Sequence, residues 1–129
     1  MHDYEAPIFD ALADAIGVAY PDCIVVSEDL PGQARFPIVE FRCTDITPDA
    51  ASAESGDMEP RSVQLFEAQC YSNRSRAEAK ALAKYCDQLM SSWGWHRTFF
   101  GKVDNPDPTV RRHVARWRGS VDGGGFVAR

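Results

Sequence analysis

Catalytic and metal-binding signatures are what this sequence of 129 residues most conspicuously lacks. It has no Gly-x-Ser-x-Gly elbow, no His-Glu-x-x-His and no phosphate loop, so the common hydrolase and nucleotide-handling chemistries have no carrier here. Histidine is scarce, with only His2, His96 and His113. The four cysteines, Cys23, Cys43, Cys70 and Cys86, are separated by 20, 27 and 16 residues. Structural zinc wants ligands paired at short spacing, and no Cys-x-x-Cys is present. No apolar run approaches the ~20 residues that a membrane span needs. The opening Met1-His2-Asp3-Tyr4-Glu5 is acidic where a signal peptide is basic. The expected setting is a reducing cytoplasm, with buried free thiols in place of disulfides and with no metal or cofactor.

What is present reads as one soluble domain. Apolar residues make up 44% and charged residues 26%, near the averages for globular chains, and the length suits a single core. The net charge of −5 conceals a polar split. Residues 1–60 hold thirteen acids against two bases, and residues 61–129 hold six acids against twelve bases. Such a chain either pairs its halves internally or meets other copies head to tail.

Periodicity predicts a helix over 7–19 from the spacing of Ile8, Leu12, Ala15, Ile16 and Ala19, ended by Tyr20-Pro21. A short buried strand follows at 23–26. A second is expected at 37–43, with Val39, Phe41 and Cys43 on one face and Glu40 and Arg42 on the other. Residues 44–60 have no apolar period and carry Asp45, Asp49, Glu54, Asp57 and Glu59, so a long acidic loop is expected there. Strand character returns at 62–71, with a change of phase that calls for a β-bulge or for cover on both faces. Ser75-Arg76-Ala77-Glu78 has the form of a capping box, in which serine and glutamate satisfy orphan amides reciprocally. The helix that follows places Ala79, Leu82, Cys86, Leu89, Met90 and Trp93 on one face and Arg76, Lys80 and Lys84 on the opposite one, and Gly94 stops it. Residues 95–102 and 109–121 read as a closing pair of strands, which would make neighbours of His96 and His113 if the two strands pair. Gly123-Gly124-Gly125 begins a flexible tail over 123–129, leaving 1–122 as the domain.

The last strand is the most distinctive element. Alternation sends Arg112, Arg116 and Arg118 outward together and turns Ala115 and Trp117 to the core. Arginines on one face suit protein contact or phosphate contact, whereas a buried indole is unsuited to stacking on bases.

From about Val63 to Val121 the chain resembles the small tail-terminator proteins of long-tailed bacteriophages, also called tail-completion or head–tail joining proteins. The likeness rests on Cys70-Tyr71-Ser72-Asn73 and the alanine- and lysine-rich helix ending Leu89-Met90. It continues through Trp95-His96-Arg97-Thr98, then Asn105 and Asp107-Pro108-Thr109, to Val114-Ala115-Arg116-Trp117-Arg118-Gly119. Arg111 and His113 depart from it, standing where the family pattern has large apolar side chains. The resemblance implies an α+β fold, with a twisted, mainly antiparallel sheet of about four to five strands and two helices packed on one face. It also implies a virion protein of the tail and neck, made in the host bacterial cytoplasm, without enzymatic activity, cofactor or membrane association. Its partners would be copies of itself in a hexameric ring, the tail tube protein and the head-completion or neck proteins, with non-specific contact to DNA in transit.

The subunit and partner contacts then expected join the basic residues Arg76, Lys80, Lys84, Arg112, Arg116 and Arg118 to the acidic residues Asp49, Glu54, Asp57 and Glu59, since a polar chain suits a head-to-tail ring. The alternative is a small nucleic-acid-binding accessory domain that uses the basic C-terminal strand.

Overall fold

The computed structural model describes residues 5–27, 35–48, 62–122 and 125–128. In chain order these form α1 (Glu5–Ala19), β1 (Ile24–Val26), β2 (Ile38–Pro48), β3 (Ser62–Ser72), α2 (Arg76–Ser92), β4 (His96–Val103), β5 (Arg111–Asp122) and β6 (Gly125–Ala128). Five strands lie in the order β1-β2-β3-β5-β4, and β6 pairs with β5. The β1–β2 pair is parallel, whereas β2–β3, β3–β5, β4–β5 and β5–β6 are antiparallel. This is the expected α+β class, with an open sheet and two helices on one face.

Both helices bury their apolar stripes in a single core. Ile8, Leu12 and Ile16 of α1 and Leu82, Ala83, Cys86 and Met90 of α2 pack with Val39, Phe41, Phe66, Ala68, Cys70, Ala115 and Trp117 of the sheet. Aromatic rings fill the centre. Phe41 stacks on Phe66 at 5.4 Å between centroids, and Trp95 meets Phe66 edge-on at 4.9 Å. Tyr85 ties the helices together through its hydroxyl, which donates to the Ala15 carbonyl at 3.3 Å.

The start of α2 differs from a simple capping box. Ser75 Oγ accepts the Glu78 amide at 3.0 Å as expected, but Glu78 Oε1 accepts the Ser72 hydroxyl at 2.6 Å. Ser72 Oγ in turn accepts the Ser75 amide at 3.2 Å and the Arg74 amide at 3.1 Å, so one hydroxyl relays what the carboxylate would have done directly. At the other end Gly94 takes φ 96°, and the Trp95 amide reaches back to the Met90 carbonyl at 3.0 Å. That closing bond needs the left-handed conformation that glycine adopts freely.

Two expectations change, and the alternative left open for β3 is decided. Residues 44–48 belong to β2: a register shift between Cys43 and Asp45 absorbs Thr44, after which Asp45, Ile46 and Thr47 pair with Leu65, Gln64 and Val63. The bulge therefore lies on β2. The phase change in β3 reflects cover on both faces, since Phe66, Ala68 and Cys70 are buried beneath the helices while Glu67 and Tyr71 are buried on the far side. The tail read as flexible contains β6, in which Gly125 pairs with Asp122 and Ala128 with Ser120. A four-residue run is too short to carry a period, which is why sequence reading gives it no partner.

Candidate functional site

Register places the charged residues of three strands side by side on the sheet face away from the helices. Glu67 of β3 stands opposite Arg42 of β2 and Arg116 of β5, and Gln69 stands opposite Glu40 and Val114. Arg116 Nε donates to Glu67 Oε2 at 2.7 Å, Gln69 Nε2 donates to Glu67 Oε1 at 2.7 Å, and an Arg42 guanidinium nitrogen lies 3.5 Å from the same oxygen. Arg42 also reaches Glu40 Oε1 at 3.3 Å. Burial alone would raise the Glu67 pKa, but the hydrogen bonds from Arg116 and Gln69, with the charges of Arg116 and Arg42, outweigh it and hold the carboxyl below its ordinary range. The Arg116 guanidinium also lies 5.1 Å from the Phe99 ring centroid, a cation–π contact with β4.

Arg112, Arg116 and Arg118 of β5 share this face, as alternation requires, but they differ in what holds them. Arg116 is committed to Glu67. Arg112 donates to Gln69 Oε1 at 3.2 Å and to the Asp104 carbonyl at 2.6 Å. Arg118 is exposed and has no hydrogen-bond or ion-pair partner among the described residues. Ala115 and Trp117 are fully buried on the helix side, where Trp117 Nε1 donates to Asp87 Oδ1 at 3.0 Å.

Arg76, Lys80 and Lys84 are exposed along α2, on the opposite side of the molecule from Arg116 and Arg118. The two basic sets are therefore separate surfaces. They meet at one place only, where Arg76 and Arg112 both border a cleft beside the β4–β5 turn. The acids Asp49, Glu54, Asp57 and Glu59 lie outside the described residues.

The histidines do not come together. His96 is opposite Arg118, while His113 is opposite Lys102 toward the other end of the same ladder. His113 packs its ring 4.5 Å from Phe100, and burial first, then the Lys80 charge, lowers its pKa. Its neutral form is thus favoured, against an aromatic ring. All four cysteines are free thiols. Cys70 and Cys86 are buried, whereas Cys23 and Cys43 are only partly so. Burial pushes the Cys23 thiol up to about 12, and a hydrogen bond with Cys86 together with burial raises that of Cys70. Thiolate chemistry is suppressed at both. Among the described residues no group of three or more His, Cys, Asp or Glu could hold a metal ion, and no helix is long and apolar enough to cross a membrane.

Sequence reading missed Glu67 and Gln69 as the hub of the far face, and it missed Lys102 beside the cleft. The signal for Glu67 was present: a lone acid in a strand otherwise free of charge. Its partners depend on the β2–β3–β5 register, which sequence spacing does not supply. No protein-family model matches the chain, and no curated protein matches it.

Proposed function

We propose that the protein is a structural virion component, a tail terminator or neck connector whose ring joins the phage tail tube to the head-side connector. The observation that carries this reading is the resemblance over Val63–Val121. The β3–α2–β4–β5 succession in which those motifs fall, within an α+β sheet bearing two helices on one face, is compatible with it. Two details give the motif residues physical reasons. Trp117 is the largest fully buried side chain, and Gly119 leaves room for the Trp95 ring, since a Cβ there would lie 2.4 Å from Trp95 Cε3. These are requirements of a packed scaffold, and the role carries no reaction and no cofactor. Subunit contact falls to exposed cations with no hydrogen-bond or ion-pair partner among the described residues, Arg76, Lys80 and Lys84 on α2 and Arg118 on β5 among them, against acids of the neighbouring copy. Arg112 and Arg116 flank Arg118 on the far face of the sheet, where Gln69 and Glu67 hold them.

Light scattering on the concentrated, reduced protein, with negative-stain images of the same fractions, tests the assembly. The expected outcome is a ring of about six copies. Charge reversal by Lys80→Glu with Lys84→Glu should abolish the ring while circular dichroism stays unchanged, and normal rings from that variant would refute the α2 contact. The second reading, a nucleic-acid-binding accessory domain, is favoured by Arg118, which is exposed and has no hydrogen-bond or ion-pair partner among the described residues. It predicts DNA binding by the isolated protein that weakens steeply as salt rises.

A further inference from the structure

At the end of the sheet where β3 runs into α2 and β4 turns into β5, a cleft of about 300 Å³ is bordered by Arg76, Lys102, Arg111 and Arg112, with Asp104 and Asn105 also on its wall. Four cations face one carboxylate, in a chain whose overall charge is negative. The cations come from three separate elements. Arg76 opens α2, Lys102 lies near the end of β4, and Arg111 and Arg112 begin β5, where Arg111 is paired in register with Ser72.

The turn between the strands fixes two of these groups. Asp107 Oδ1 accepts the Thr109 amide at 2.9 Å and the Thr109 hydroxyl at 2.7 Å, and the Val110 amide bonds the Asp107 carbonyl at 3.1 Å. The closed turn presents its own carbonyls to the arginines: Pro108 accepts from Arg111, and Asp104 accepts from Arg112 at 2.6 Å. A guanidinium has five N–H donors, so each arginine keeps donors to spare after these bonds. Arg112 Nε is buried and has no acceptor. Arg76 and Lys102 are exposed and have no hydrogen-bond or ion-pair partner among the described residues. Positive charge therefore dominates the cleft.

We propose that this cleft is a binding site for a phosphate group. The choice of anion follows from geometry. A carboxylate offers two oxygens in one plane and is met well by a single arginine fork. Donors here converge from three elements, and a tetrahedral phosphate, with oxygens directed to several sides, satisfies such a set better. The volume accommodates a phosphate with several waters, each of which occupies about 30 Å³ in the liquid. Two held guanidiniums reduce the ordering needed on binding, while exposed Arg76 and Lys102 supply further charge at the cleft. The site goes beyond the connector reading: Arg76 is common to both, whereas Lys102 and Arg111 belong to the cleft alone. Free phosphate and the phosphodiester of a nucleic acid share the chemistry that would be recognised.

The test uses the full chain, labelled with ¹⁵N in a phosphate-free buffer at constant ionic strength. Inorganic phosphate is titrated against chloride while backbone amide shifts are followed. Saturable shifts confined to the start of α2 and to residues 102–112 are expected. They should weaken about ten-fold in Arg76→Gln and in Lys102→Gln, substitutions of exposed side chains whose spectra should otherwise overlay the parent. A short DNA duplex forms the second arm. If it displaces phosphate from the same residues, the source is a nucleic acid backbone; if it leaves the shifts intact, the site takes free phosphate. Shifts that do not saturate, that spread over the other basic surfaces, or that persist unchanged in both variants would overturn the proposal. Tighter binding of an acidic glutamate peptide than of phosphate would overturn it too, in favour of protein docking.

Discussion

Glu67 and His113 occupy opposite faces of the sheet and make the fold sensitive to acid by two routes. Glu67 has a folded pKa below its ordinary value of 4.5, so the stability it contributes is present above that value and is lost as pH falls through the folded pKa. His113 has a folded pKa below its ordinary 6.5. Protonation therefore favours the unfolded chain, and destabilisation begins as pH drops below about 6.5 and continues until the folded pKa is passed. Denaturant midpoints measured from pH 8 to pH 3 should thus decline in two stages. His113→Phe should remove the upper stage and keep the lower one. Glu67→Gln should flatten the lower stage and weaken the protein by about 1–3 kcal/mol at pH 7, the range for hydrogen bonds to a charged group. A single acid transition unchanged by either substitution would contradict this assignment.

The joint between α2 and the last two long strands depends on a few side chains. Asp87 accepts from the Trp117 indole and pairs with Arg97 of β4 at 3.0 Å, so one carboxylate fastens the helix to β4 and β5. Gly119 admits the Trp95 ring directly against the β5 backbone. Gly119→Ala should force that ring aside and cost about 1–3 kcal/mol by chemical denaturation, with loss of near-ultraviolet tryptophan ellipticity. Asp87→Ala should cost a similar amount, about 1–3 kcal/mol, by leaving a buried indole N–H without an acceptor. Full stability in both variants would show that the joint tolerates repacking.

This joint also shows what could be read in advance. The limits of α2, its apolar stripe and the inward turn of Trp117 follow from local spacing, cap chemistry and alternation, and these are visible in one dimension. The Asp87–Trp117 bond, the Glu67 network and the basic cleft are not, because each depends on which residues face one another across strands. The end of β2 was obscured for a related reason: its bulge at Thr44 breaks the alternation by which a strand is recognised.

Among the described residues, basic side chains lie on two separate surfaces, the outer side of α2 and the far face of the sheet, and both belong to one fold through β3. That strand is central, paired to β2 along 38–48 on one side and to β5 along 111–121 on the other. The second pairing spans the whole of α2 and β4 in sequence. During synthesis β3 and β2 leave the ribosome long before β5 exists, and through that interval one side of the central strand presents unpaired amides and carbonyls. A chain ended before Arg111 should therefore aggregate on refolding, by light scattering at micromolar concentration, whereas one that lacks only residues 125–129 should stay clear; equal behaviour would count against this view. Production of the protein at high levels is consequently governed less by its final stability than by how quickly the last long strand arrives to close the sheet.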